Sequence, residues 1–65
     1  MKVKLERVIA DYTTHRRVNL YAREDGRYFV LAVPTNPDLA TIDNVHEAVC
    51  DTREQALALC EAEVS

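Results

Sequence analysis

The run Tyr28-Phe29-Val30-Leu31-Ala32-Val33 constrains this chain more than any other segment. It is apolar at both alternating positions, and Asp25-Gly26 precedes it while Pro34 follows. A short apolar run bounded by turn chemistry reads as a central strand covered on both sides. Glycine tolerates the positive φ of a tight turn, so Asp25-Gly26 predicts a hairpin back to the preceding strand. Proline cannot donate to a sheet ladder, so Pro34 is expected to end the run. The fold must therefore place residues 28–33 inside a sheet and find cover for two faces.

The rest of the chain supplies one cover. Residues 3–10 alternate, with Val3, Leu5 and Ile9 expected on one face, Lys2, Lys4 and Glu6 opposite, and Arg7 as a charged exception on the apolar side. A break is expected near Tyr12-Thr13-Thr14-His15. Residues 17–23 alternate again, with Val18, Leu20 and Ala22 against Asn19, Tyr21 and Arg23. Pro34-Thr35-Asn36-Pro37-Asp38 is turn chemistry, predicting a loop to about Thr41. Residues 44–50 look extended, with Val45 and Val49 on one face and His46, Ala48 and Cys50 on the other. A register shift of one residue would exchange those two sets, so the pattern alone leaves open which of them is inward.

Residues 53–63 are rich in Ala, Leu, Glu and Gln and predict a helix. Either Asp51 with Glu54 or Thr52 with Gln55 has the capping-box spacing. At 100° per residue, Ala56, Leu57, Leu59, Cys60 and Val64 form one stripe, with Glu54, Ala58 and Glu61 opposite. The expected architecture is an α+β fold, an antiparallel sheet of three to four strands with one C-terminal helix packed on one face. The chain of 65 residues is expected to be a single small domain, 1–65, whose core supplies about 3–5 kcal/mol. One helix covers one sheet face. The second face of residues 28–33 then needs the 34–43 loop, a second copy or a partner.

Apolar residues make up 48% of the chain and the net charge is only −3, which excludes the disordered class. No run approaches the ~20 apolar residues of a membrane helix. The start, Met1-Lys2-Val3-Lys4-Leu5-Glu6-Arg7, is basic but develops no apolar core, so no export signal is read and a cytoplasmic location is expected.

The residues argue against catalysis. One glycine excludes a phosphate-binding loop and a dinucleotide fingerprint. Cys50 and Cys60 match no zinc spacing; a disulfide between strand end and helix is geometrically conceivable, but a reducing compartment favours two small buried hydrophobes. His46 and Cys50 stand about 13 Å apart along a strand, too far to share a metal. His15 reads as a loop histidine with no positioned nucleophile. No enzyme, cofactor or metal is therefore expected.

Charge is unevenly distributed. Residues 1–33 carry seven bases and four acids, net +3, and residues 34–65 carry one base and seven acids, net −6. Arg16, Arg17, Arg23 and Arg27 with Tyr21 and Tyr28 have the makings of a basic-aromatic patch, but the acidic second half argues against direct nucleic-acid binding. Asp38, Asp43, Glu47, Asp51, Glu54 and Glu61 form the opposite candidate. Spaced carboxylates on a rigid domain imitate a phosphate row and complement a basic groove.

Two resemblances accompany this reading. Asp25-Gly26-Arg27-Tyr28-Phe29-Val30-Leu31-Ala32-Val33-Pro34, followed by Asp51-Thr52-Arg53-Glu54-Gln55-Ala56-Leu57, resembles the HicB-type antitoxins, which have a hairpin ending near a proline and then a Thr-x-Glu-x-Ala-Leu helix start. The resemblance covers about half the chain, lacks that family's usual glycine between the motifs and shows no DNA-binding segment after them. It implies an antitoxin or regulatory module acting through homodimerisation. In format alone the chain is similar to phage-encoded anti-CRISPR inhibitors, which are small, often acidic and without catalytic motifs, some of them DNA mimics.

The expectation is a non-enzymatic binding protein that inhibits or sequesters a macromolecular partner of host defence by occlusion and acidic mimicry. Its partner would be a protein with a basic nucleic-acid-binding surface, and the alternative is the homodimerising module. The six acids named above are the expected partner-binding residues.

Overall fold

The computed structural model describes residues 2–64. Four strands, β1 (Val3–Asp11), β2 (Arg16–Arg23), β3 (Tyr28–Pro34) and β4 (His46–Cys50), precede one helix, α1 (Arg53–Val64). The strands form an antiparallel meander in the order β1-β2-β3-β4, and α1 packs on one face. This is the expected α+β sheet with a C-terminal helix.

The apolar run 28–33 lies in β3, an inner strand paired with β2 on one side and β4 on the other. Its alternate residues Val30 and Ala32 point to α1 and join Val18, Leu20, Ala56 and Cys60 in the fully buried core. Ile9, Tyr28, Cys50, Leu57, Leu59 and Val64 pack around that cluster. Pro34 is the last residue of β3, buried, and paired with Arg16. A strand end tolerates the missing N–H, so the proline closes the strand from within rather than lying beyond it.

The Asp25-Gly26 hairpin is a three-residue loop. The Gly26 N–H donates to the Arg23 carbonyl at 3.2 Å, the Arg23 N–H donates to Arg27 at 2.9 Å, and Gly26 has φ +85°. This is a type I turn closed by a glycine bulge. The Asp25 Oδ1 accepts from the Arg27 N–H at 3.0 Å, and its Oδ2 meets the Arg23 guanidinium at 2.8 Å. The Arg27 N–H and the Arg23 charge hold the Asp25 carboxyl below its ordinary range. A Cβ on Gly26 would meet nothing within 4 Å, so substitution there tests backbone conformation alone. Gly26→Ala is expected to cost about 1 kcal/mol in urea denaturation, and Gly26→Asn less, because asparagine tolerates the left-handed region better. Equal stability of Gly26→Ala and the parent would refute this account of the turn.

Strand β1 departs from the simple alternation. Leu5 pairs with Tyr21 but Arg7 pairs with Leu20, so Glu6 is an extra residue in a bulge. A bulge shifts the two-residue period by one. Val3 and Leu5 therefore share the outer face with Val8, while Ile9 turns to the helix. The expected common face of Val3, Leu5 and Ile9 is corrected accordingly. Arg7 lies on the helix-facing side and stays exposed at the sheet edge, and Glu6 meets Arg53 at the start of α1 at 3.5 Å. Strand β4 begins at His46, two residues later than expected, and its register settles the open question: Ala48 and Cys50 face the helix opposite Val30 and Tyr28.

Helix α1 is capped by Thr52, whose hydroxyl accepts from the Gln55 N–H at 3.1 Å. Its buried residues, Ala56 and Cys60, lie on the expected stripe, and Glu54, Ala58 and Glu61 are exposed. The last turn is tied to the sheet. Thr14 donates its hydroxyl to the Val64 carbonyl at 3.2 Å, and Glu63 meets both His46 at 3.0 Å and Arg16 at 3.5 Å. Arg16 also donates to the Asn44 carbonyl at 2.6 Å, fixing the β3–β4 loop to the same corner.

Candidate interaction surface

The side chains that alternate away from α1 build a second apolar face. β1 contributes Val3, Leu5 and Val8, β2 contributes Tyr21, β3 contributes Phe29, Leu31 and Val33, and β4 contributes Val49. None of these belongs to the core cluster or to the hydrophobics packed around it. Val3, Leu5, Val8 and Val49 are each about half exposed, at 53%, 49%, 50% and 49%. Tyr21 and Phe29 lean together with ring centroids 5.9 Å apart. Leu39 and Ile42 of the β3–β4 loop bring no cover to it, being 63% and 94% exposed.

The face carries little polarity. At its centre Asn19 donates from Nδ2 to the Tyr21 hydroxyl at 3.0 Å, while its Oδ1 is buried without a hydrogen-bond partner. Arg17 stands beside Ala10 and Val33, and Glu47 beside Leu31. Arg23 is held by Asp25 at the hairpin end. Large exposed apolar patches on small proteins are commonly sites of interaction.

The six acids are not gathered on one surface. Glu47 rises from β4 onto the open sheet face, whereas Glu54 and Glu61 lie on the outer side of α1, across the molecule. Asp38 sits in the short 3-10 turn Pro37–Leu39, and Asp43 in the following loop, where its carbonyl meets His46 at 3.3 Å. Asp51 pairs with Arg27 at 3.4 Å. The apolar face was legible in part, from the two-sided run in β3. The contributions of Val3, Leu5 and Val8 were hidden by the Glu6 bulge.

The concave sites are small or shallow. A cleft of about 70 Å³ between β3, β4 and α1 is lined by Val30, Ala32, Ala48 and Leu59, with His46 and Glu63 among its walls. Pockets for small organic ligands run from about 300 Å³ upwards. A wider, open groove of about 360 Å³ follows Lys2, Val3 and Lys4 beside Ala22, Arg23 and Glu24. His46 has a carboxylate partner in Glu63, but no hydroxyl or thiol is hydrogen-bonded to its ring among the described residues. Cys50 and Cys60 are both free, and burial pushes the Cys60 thiol up, away from the reactive thiolate. Among the described residues no cluster of three or more His, Cys, Asp or Glu could hold a metal ion, and no helix is long and apolar enough to cross a membrane.

Comparison with protein-family models, with curated proteins and with solved structures found no match for this chain.

Proposed function

We propose that this is a non-enzymatic binding protein, acting by protein–protein association through the open face of its sheet. The supporting observation is the row of half-exposed apolar side chains opposite the helix, Val3, Leu5, Val8 and Val49 around Tyr21, Phe29 and Leu31. Each such side chain removed from water contributes at about 25 cal/mol per Å² of apolar area, which offsets the entropic cost of association where the opposing surface is complementary. Inhibition or sequestration then follows from occlusion of the partner surface that the face engages.

The test is a tagged pull-down from the native host, comparing the parent with Leu31→Glu. Copies of the chain itself count among the recovered partners. Leu31 is half-buried in the middle of the face, and a carboxylate there opposes apolar contact while leaving the helix side untouched. Loss of the partner from a folded Leu31→Glu chain is the expected result. A partner retained at parental yield would rule out the open face as the contact surface.

A second reading rests on the acids. Asp38, Asp43 and Glu54 are exposed and have no ion pair among the described residues, leaving them available to a basic, nucleic-acid-binding protein. This reading makes binding steeply salt-dependent, because exposed charge pairs are screened. It also predicts that reversing Asp43, Glu47 and Glu54 to Lys abolishes binding, whereas contact through the open face alone would survive reversal of Asp43 and Glu54.

A further inference from the structure

We infer that the open face of the sheet is covered by a second copy of this chain, giving a face-to-face sandwich with the two helices outermost. The inference rests on the reading that the open face is the contact surface, and it names what occupies that surface.

The area of the face is large enough for a pair. Four strands about 4.8 Å apart, five to nine residues long at about 3.4 Å each and so about 20 Å on average where they overlap, span about 19 by 20 Å, or about 400 Å² in projection. Side-chain relief raises the accessible area to roughly 600 Å² per copy, about 1,200 Å² for the pair, which reaches the lower bound of a standard interface. Two sheets of this length stack about 10 Å apart with their strands within about 30°, as in other sandwiches.

Among the described residues the fully buried hydrophobic core is six residues, two of them alanine, on one side of the sheet. A chain with so small a core gains from cover that is present whenever the chain is, and a second copy is the one surface always supplied in equal amount. An isologous interface also uses every contact twice, which doubles a modest face without further residues.

Arg17 and Glu47 lie on this face without an ion pair among the described residues, and their signs are opposite. They stand two strands apart, so a two-fold axis lying in the interface between them sets each against the other's counterpart. A face bearing one sign of charge would repel its own copy. In this arrangement the exposed acids of α1, Glu54 among them, remain on the outside of the dimer.

The experiment is sedimentation equilibrium of the parent, Val8→Lys, Val49→Lys and Ile42→Lys from about 1 to 200 μM, a range that brackets the affinity of a small interface. Val8 and Val49 are half exposed on the face, so the monomer fold accommodates lysine at either, and far-UV circular dichroism confirms folding. Ile42 is 94% exposed in the β3–β4 loop and serves as the off-face control. The expected result is a parent at twice the chain mass, at least tenfold weaker association in Val8→Lys and Val49→Lys, and no change in Ile42→Lys. A parent that stays monomeric throughout overturns the second copy as occupant, while the Leu31→Glu pull-down still judges the open face itself. A parental dimer indifferent to both face lysines overturns the face as well as the occupant.

Discussion

Leu20→Ala is expected to remove most of the stability of the fold. Leu20 has no exposed surface and is the largest fully buried side chain among the described residues, in an inner strand beneath α1. Truncating a buried leucine costs about 2–5 kcal/mol, the lost transfer energy plus the cavity left behind. A core of this size supplies only about 3–5 kcal/mol, so the substitution brings the chain close to its midpoint. Thermal unfolding followed by far-UV circular dichroism should show the transition lowered by more than 10 °C, since each kcal/mol is worth about 4–8 °C at this length. Val8→Ala, on the half-exposed outer face, should cost a small fraction of that in the monomer. Protein concentration must be held fixed, because self-association adds to apparent stability. A loss under about 1 kcal/mol for Leu20→Ala would mean that the core is not organised around this residue.

The weight placed on Leu20 was already visible in the sequence. Val18 and Leu20 alternate with Asn19 and Tyr21 without interruption, and the burial follows that period. The helix was legible for the same reason: a single stripe, Ala56 to Val64, and a threonine at the right distance from a glutamine. What the sequence concealed was phase rather than type. In β1 the side chains keep their two-residue period up to Leu5 and resume it at Arg7 one residue out of step, and nothing in the residue types marks Glu6 as the extra one. A bulge depends on which residues of the partner strand lie opposite, which is tertiary information. β4 posed a similar problem, because Val45 and Val49 on one side and Ala48 and Cys50 on the other are equally apolar, and only pairing with Val30 and Tyr28 decides between them. The open face was foreseeable as a need, from the two-sided run in β3 above a single helix. Its membership was not, since three of its four half-exposed apolar side chains, Val3, Leu5 and Val8, come from the strand that holds the bulge. The acids were read as a series because they are near one another in sequence. The chain reverses between them, and a helix and a strand present them to opposite sides.

Ala56→Leu is the second large effect, and it probes the seam between helix and sheet. Ala56 is fully buried at the start of the helix stripe, in the same cluster as Val18, Leu20, Val30, Ala32 and Cys60. Leucine is nearly as good a helix former as alanine, so the helix itself is not weakened. The three added carbons have nowhere to go: packed interiors hold few voids, and overpacking costs about 1–3 kcal/mol in strain or displacement. Displacement is the easier response in a two-layer fold, where the helix is free to lift on its outer side. Lifting would unseat Leu57, Leu59 and Cys60 as well and loosen Glu63 from His46 and Arg16. Ala58→Leu supplies the control, with the same chemical change two residues along the same helix on its exposed side. Urea denaturation should place Ala58→Leu within about 0.5 kcal/mol of the parent and Ala56→Leu about 2 kcal/mol below it, about half of what a core of this size supplies. Similar stabilities for the two variants would mean that the helix does not seat on the sheet through Ala56. Because Val30 and Leu31 are neighbours on one strand, a lifted helix also disturbs the strand that carries the open face. If the proposed association uses that face, it should therefore weaken in Ala56→Leu although no residue of the proposed contact surface has changed.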